Sequence, residues 1–227
     1  MSTFLLVHGS MAGGWTWNHV RPLLEDAGHR VIAPTLTGMG DRAHLATPDT
    51  NLSTNIDDIA ALLASESLTD VVLVGHSYGG MVISGVISDR VAQRVYVDAF
   101  LPVEGESAWD IFPWQREVFD AMRLPDLPWL VKAPDVAAFF PDLTPEQAAE
   151  FTSMPSATHE EVLSAVARRD SSTATFIAST TPAHFQSQAE RAREEGIRVV
   201  SIAAGHMSPL THPEQIASVL LPVAATT

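Results

Sequence analysis

The stretch Asp70-Val-Val-Leu-Val-Gly-His-Ser-Tyr-Gly-Gly80 joins two apolar segments through a turn of small residues. Val71 to Val74 predict a buried strand, and the apolar run that begins at Met81 predicts a buried helix. Ser77 lies between them in Gly-x-Ser-x-Gly, the pattern of a nucleophile elbow, whose turn is too tight for side chains at positions 75 and 79. A chance pentapeptide in a loop is the alternative, and the flanking apolar segments argue against it. Ser77 is therefore the predicted nucleophile.

Composition limits the classes of protein that this chain can encode. With 227 residues, 46% of them hydrophobic, it is expected to form one sizeable domain, or a domain with an insertion. A net charge of −14 argues against nucleic acid or an anionic membrane as a partner. The absence of cysteine excludes a disulfide framework and thiolate chemistry. No signal peptide or membrane-length apolar run is evident, so a cytoplasmic location is expected, and a homodimer is an open alternative.

Short apolar runs alternate with helical segments at both ends of the chain. Because each run is short and continuous, the pattern predicts an α/β fold with a mostly parallel sheet of about six strands, covered by helices on both faces. The predicted strands are residues 4–7, 30–33, 71–74, 94–98, 175–179 and 198–202.

Residues 103–169 interrupt this alternation. The segment contains Trp109, Trp114 and Trp129, and its prolines divide it into short predicted helices without strands. We expect residues 1–102 and 170–227 to form the core and residues 103–169 to form a helical lid over the sheet. Most of the aromatic residues of this lid would pack the lid against the core, and a few would line a pocket.

A serine hydroxyl needs an adjacent base, and His206 is the best candidate because it follows the last predicted strand, at the sheet edge where the elbow points. His8 is expected to shape the glycine-rich loop after the first strand, His76 to face away from the Ser77 hydroxyl, and His212 to lie in a helix cap. The remaining histidines have no distinctive context and are expected to be surface or packing residues: His19, His29, His44, His159 and His184.

No cofactor or metal is expected from the sequence. The glycine pattern at residues 38–43 does not connect a strand directly to a helix, as a dinucleotide site would require. No cluster of His, Asp and Glu has the spacing of metal ligands.

Several motifs together resemble the α/β-hydrolase fold, and within it the methylesterase and hydroxynitrile lyase branch with its bacterial esterase relatives. The motifs are Phe4–Gly9, Gly13-Gly14-Trp15-x-Trp17, Gly75–Met81 and Gly205-His206-Met207. The resemblance implies that Ser77 is the nucleophile and His206 the base. It also implies an oxyanion hole made by the backbone N–H groups of Ser10 and Tyr78. Substrate contacts are implied for Gly9, Trp109, Phe112 and Trp114.

The sequence departs from this family at the acid of the catalytic triad. The acid normally follows the strand before the last, but the segment from Ser179 to Gln186 has no carboxylate. Asp98 is the best replacement, because it ends the strand after the elbow and preserves the chain order Ser, Asp, His. Asp110 and Asp170 are the alternatives, and Asp98 could instead cap a turn.

Three functions are compatible with this sequence. The leading one is hydrolysis of a small hydrophobic or aromatic carboxylic ester through an acyl-enzyme on Ser77. The second is a hydroxynitrile lyase, but such relatives tend to have a hydroxyl residue and a lysine where this chain has Gly9 and Met207. The third is a binding protein or non-hydrolytic catalyst on the same scaffold, against which the pair Ser77 and His206 argues.

Overall fold

The structure, a computed structural model, describes residues 1–167, 169 and 172–224. Its strands, in chain order, are β1 (Thr3–Val7), β2 (Arg30–Ile32), β3 (Val71–His76), β4 (Val91–Val97), β5 (Arg123–Leu124), β6 (Leu127–Val131), β7 (Met154–Pro155), β8 (Ala174–Ser179) and β9 (Arg198–Ile202).

Helices connect these strands. They are α1 (Val20–Asp26), α2 (Leu52–Ser65), α3 (Gly79–Gly85), α4 (Ala108–Ile111), α5 (Pro113–Ala121), α6 (Val136–Phe139), α7 (Pro145–Ala149), α8 (Ala157–Glu160), α9 (Gln186–Glu194), α10 (Ser208–Thr211) and α11 (Pro213–Ala224), with 3₁₀ helices at Gly14–Trp17 and Gly40–Leu45. Across the described ranges, none of these helices has both the length and the apolar character needed to cross a membrane.

The central sheet has six parallel strands in the order β2-β1-β3-β4-β8-β9, which confirms the predicted α/β class and strand number. All six strands run in the same direction, so their carboxyl ends lie at one edge of the sheet. The strand β3, which leads into the elbow, is central and fully buried, with β1 on one side and β4 on the other. Loops that follow these three strands therefore meet around Ser77.

Both faces of the sheet are buried, as expected for a parallel sheet between helices. Alternate residues of β1 point to opposite faces, so Leu5 and Val7 join one hydrophobic cluster and Phe4 and Leu6 join the other. The first cluster includes residues of α2, α3 and α9, and the second includes residues of α1 and α11.

The insertion differs from the prediction, because it contains strands. β5, β6 and β7 form a small antiparallel sheet in which Leu130 and Val131 of β6 pair with Pro155 and Met154 of β7. The expectation of a lid without strands was therefore wrong. Two of these strands have only two residues, which is too short for a period-2 signal, and proline within a run argues against a strand. The predicted boundary at residues 169 and 170 adjoins positions outside the described residues.

Candidate active site

Ser77 occupies the sharp turn between β3 and α3. Its φ of +53° lies in the left-handed region, which is uncommon for residues other than glycine. A Cβ atom at Gly75 would lie 2.5 Å from the carbonyl oxygen of Gly79, and one at Gly79 would lie 2.7 Å from that of Val7. Both glycines are therefore required by close backbone approach, as the sequence pattern indicates.

The imidazole of His206 lies in the loop between β9 and α10 and bonds to Asp98. His206 Nδ1 is 2.7 Å from Asp98 Oδ2, and both side chains are buried. Because Nδ1 faces the carboxylate, Nε2 is the ring nitrogen left to accept a proton. His206 and Ser77 line the same cavity, so this nitrogen is placed on the side of the molecule where the serine hydroxyl lies.

Asp98 directly follows β4 and is held by the backbone around it. Its second carboxylate oxygen, Oδ1, accepts a hydrogen bond from the backbone N–H of Ser179 at 3.2 Å, and its own N–H donates to the carbonyl of Ile177 at 2.8 Å. Its φ of +43° is again left-handed, which is a strained conformation for aspartate that the neighbouring strand β8 maintains.

Of the two alternative acids, Asp110 bonds to Ser107 and not to His206. Asp110 caps α4, where its Oδ2 accepts hydrogen bonds from the backbone N–H of Ser107 at 2.8 Å and from the Ser107 hydroxyl at 2.6 Å. These bonds lower the pKa of the Asp110 carboxyl. Asp170 lies outside the described residues.

Two further histidines are buried near the site and stay neutral. His8 accepts a hydrogen bond from the Leu36 N–H at Nε2, 2.9 Å away, so its Nδ1 carries the proton and donates to the Gly9 carbonyl at 2.7 Å. Burial lowers the pKa of His8 to about 4. His76 Nε2 bonds to the carbonyl of His206 at 2.8 Å, and burial lowers the pKa of His76 well below its usual value. His8 thus shapes the loop after β1, and His76 fixes the backbone of His206.

The loop after β1 lies beside the elbow. Ser10, Gly9 and Ser77 all line the cavity, and a Cβ atom at Gly9 would lie 2.9 Å from that of Ser77. The backbone N–H groups of Ser10 and Tyr78 donate to no acceptor within the part of the chain that the structure describes. They are therefore available to an oxygen bound in the cavity, which is the property that an oxyanion hole requires.

The cavity between the sheet edge and the insertion has a volume of about 170 Å³. Its walls are mainly aromatic and include Phe100, Phe112, Trp114, Phe119, Phe140 and Phe151. Six polar side chains are among its lining residues: Ser10, His76, Ser77, Gln115, His184 and His206. An apolar cavity with a few convergent polar groups is the usual form of a small-molecule site.

The lid residues predicted to contact substrate separate into two groups. Phe112 and Trp114 line the cavity, and Trp114 is 58% exposed at its rim. Trp109 is absent from the cavity lining and packs within the insertion. Its ring lies 5.4 Å from the guanidinium carbon of Arg116 and 5.9 Å from that of Arg123. Its role as a substrate contact stays a prediction, and in this structure its ring makes cation–π contacts instead of lining the cavity.

Three residues at this site were not predicted from the sequence to belong to it. His184 and Phe185 lie in the segment after β8 and line the cavity, and the Phe185 ring stacks on His206 with centroids 5.0 Å apart. Their position after a strand at the carboxyl edge was a usable signal. His159 is fully buried and reaches Ser10 from the insertion, a contact between residues distant in sequence that no local pattern reveals.

This chain belongs to the Alpha/beta hydrolase family, whose model it matches over residues 4–219. Known relatives are similar over part of its length. A carbendazim hydrolyzing esterase of Nocardioides sp. (strain SG-4G) is 49% identical over 117 residues, which cover 50% of this chain and 48% of that protein. Methylesterase 8 of Arabidopsis thaliana is 38% identical over 103 residues, which cover 44% of this chain and 38% of that protein. The matches thus span half or less of the length of these relatives, and they confirm the resemblance to the methylesterase branch.

The whole fold also matches a solved structure. An extracellular alpha/beta-hydrolase from a Paenibacillus species, described as sharing structural and functional homology with tobacco salicylic acid binding protein 2, superposes with a TM-score of 0.83. The superposition covers 98% of this chain and 99% of that one at 22% sequence identity, so it shows the fold and nothing finer.

Proposed function

We propose that this protein is a carboxylic ester hydrolase that acts through an acyl-enzyme on Ser77. The observation that carries the proposal is the bond from His206 Nδ1 to Asp98 Oδ2, with His206 and Ser77 lining one cavity. Relatives named as a carbendazim hydrolyzing esterase and as methylesterases support the same chemistry.

The reaction follows from the roles of these groups. His206 Nε2 takes the proton of the Ser77 hydroxyl as Oγ attacks the ester carbonyl, and the buried Asp98 carboxylate stabilises the imidazolium that forms. The N–H groups of Ser10 and Tyr78 stabilise the negative oxygen of the tetrahedral intermediate. His206 then protonates the departing alcohol, and a water molecule, activated by the same nitrogen, hydrolyses the acyl-enzyme and restores Ser77.

The cavity favours a small hydrophobic or aromatic ester as the substrate. Its volume of about 170 Å³ exceeds the ~150 Å³ of an apolar cavity known to bind benzene, so one aromatic ring with a small ester group fits. Aromatic walls such as Phe112 and Phe140 offer edge and face contacts to such a ring. We also propose that residues 103–169 form the lid and that residues 1–102 and 170–227 form the core. A cytoplasmic location remains part of this proposal.

The test is the Ser77→Ala variant, measured with p-nitrophenyl esters and with a fluorophosphonate that labels nucleophilic serines. We expect turnover and labelling both to be lost, with unchanged thermal unfolding. Ser84→Ala is the matched control, because Ser84 lies on α3 and its hydroxyl contacts the Tyr96 hydroxyl, 3.1 Å away, instead of the cavity. Turnover by Ser77→Ala near that of the wild type would refute the proposal.

The hydroxynitrile lyase alternative is tested with the same protein. Position 9 cannot hold a hydroxyl side chain without displacing Ser77, since a Cβ atom there would lie 2.9 Å from the Ser77 Cβ. We therefore expect no release of hydrogen cyanide from aromatic cyanohydrins above the uncatalysed rate. Release at a rate comparable to ester turnover would favour the lyase.

A further inference from the structure

A chain of hydrogen bonds connects the insertion to the loop after β1. Ser10 Oγ lies 2.9 Å from His159 Nε2, His159 Nδ1 lies 2.9 Å from Thr158 Oγ1, and Thr158 Oγ1 lies 2.7 Å from the carbonyl oxygen of Pro155. His159 and Thr158 belong to α8 and have no solvent exposure. None of these groups has a role in the mechanism described above, except Ser10 through its backbone N–H.

The direction of every bond in this chain is determined. A carbonyl oxygen can only accept, so the Thr158 hydroxyl donates to Pro155 and must accept from His159 Nδ1–H. His159 Nε2 is then the unprotonated nitrogen, and the Ser10 hydroxyl donates to it. Burial lowers the pKa of His159 to about 3, so the ring keeps this acceptor at neutral pH.

A second contact joins the same two segments. The backbone N–H of Thr152 donates to the Met11 carbonyl at 2.8 Å, and Met11 has a φ of +61°, the left-handed region. The loop therefore contains a strained residue, Met11, next to Ser10. The insertion contacts both residues, Ser10 through His159 and Met11 through Thr152. A loop of this kind keeps one conformation only when its surroundings determine it.

We propose that His159 is a positioning residue, which fixes the Ser10 hydroxyl and thereby aims the Ser10 backbone N–H at the oxyanion. This inference rests on the proposed ester hydrolase function. It makes the insertion part of the catalytic apparatus in addition to a cover for the cavity. An oxyanion donor displaced by 1 Å can lower turnover by about 10², so loss of this contact should reduce kcat more than substrate binding.

Two substitutions of His159 separate positioning from packing. In His159→Gln the side-chain oxygen replaces Nε2, so the bond from Ser10 can form while that to Thr158 is lost. In His159→Asn the amide replaces Nδ1, so the bond to Thr158 can form while that from Ser10 is lost. Both variants remove the ring that stacks on Tyr78 with centroids 4.7 Å apart. They are therefore matched in lost packing and differ in the Ser10 contact.

We expect His159→Asn to lower kcat by roughly tenfold to a hundredfold, with KM changed less than about threefold. His159→Gln should stay within about fivefold of the wild-type kcat. Affinity for phenylboronic acid, which forms a tetrahedral adduct with an active-site serine, should fall in parallel with kcat. Ser10→Ala should reproduce the effect of His159→Asn, and the double variant should be no worse than either single one.

Other outcomes overturn the inference. If Asn and Gln at position 159 lower stability alike and leave kcat unchanged, His159 only packs the insertion. If the His159 variants do not fold, Ser10→Ala decides alone, because its side chain is partly exposed in the cavity, and an unchanged kcat there refutes the positioning role. Retained turnover in Ser77→Ala would refute the ester hydrolase itself, which is a distinguishable failure.

Discussion

Replacing Asp98 with asparagine changes one atom in a fully occupied hydrogen-bonding site. Oδ1 must remain an acceptor, because the Ser179 backbone N–H points to it at 3.2 Å. The asparagine NH₂ group is therefore forced into the place of Oδ2, which lies 2.7 Å from His206 Nδ1. Two donors cannot face each other, so the imidazole must move its proton from Nδ1 to Nε2. Nε2 can then no longer accept the proton of Ser77.

The expected loss in kcat is large, while the shape of the site is retained. An Asp-to-Asn change that imposes the wrong histidine tautomer has lowered kcat by about 10⁴ in a serine protease triad. At about 1.4 kcal/mol for each tenfold change, this corresponds to roughly 5 kcal/mol of transition-state stabilisation. KM should change little, because Asp98 is buried behind His206 and does not line the cavity.

Steady-state kinetics with a p-nitrophenyl ester would measure this loss, and thermal unfolding would verify that the variant folds. Asp142→Asn is the matched control, since Asp142 is an exposed carboxylate whose Oδ2 lies 3.2 Å from where a Cβ of Gly205 would be. We expect the control to keep most of the wild-type kcat. A folded Asp98→Asn enzyme that loses less than about tenfold in kcat would exclude Asp98 as the triad acid.

Three further predictions concern the lid, acid stability and the elbow. Trp114→Ala should change the ratio of kcat/KM between aryl and methyl esters with little loss of stability, whereas Trp109→Ala should lower the unfolding temperature and leave that ratio unchanged; the opposite pattern would support Trp109 as the substrate contact. The pKa of His8 is lowered to about 4 in the folded state. The unfolded state therefore binds more protons than the folded state below about pH 6.5, and the free energy of unfolding decreases as the pH decreases. Between pH 7 and pH 5 this one group should cost about 2 kcal/mol of unfolding free energy in urea titrations, and a total loss below about 1 kcal/mol would contradict its neutrality. Gly79→Ala should prevent folding or lower the unfolding free energy by several kcal/mol, since its Cβ would lie 2.7 Å from the Val7 carbonyl oxygen; wild-type stability in chemical denaturation would refute this close approach.

The sheet was predictable because its strands are continuous apolar runs that end in small residues. Val71 to Val74 and the glycines at 75 and 79 locate the elbow, since only a tight strand-to-helix turn needs that combination. The strands of the insertion were not predictable. β5 and β7 are stabilised by pairing with β6 and have too few residues to show a period of their own.

The candidate site was predictable where it depends on strand ends. Ser77, Asp98 and His206 all follow strands of the parallel sheet, so their approach at one edge follows from topology. The part contributed by the insertion depends on tertiary packing. Trp109 and Trp114 are both lid tryptophans in the sequence, and only the folded structure shows that Trp114 lines the cavity while Trp109 lies against Arg116 and Arg123. His159 reaches Ser10 across 149 positions of the chain.

Because Asp98 follows β4, the acid of the proposed triad and the part of the cavity wall that follows β8 lie on two different segments. In the proposed triad, the segment between β8 and α9 carries no acid, although it still forms cavity wall through His184 and Phe185. Substitutions there can alter the shape of the wall without altering the charge that supports His206. For laboratory evolution, this segment is therefore a place to introduce sequence variation for new substrates while Ser77, Asp98 and His206 are left unchanged.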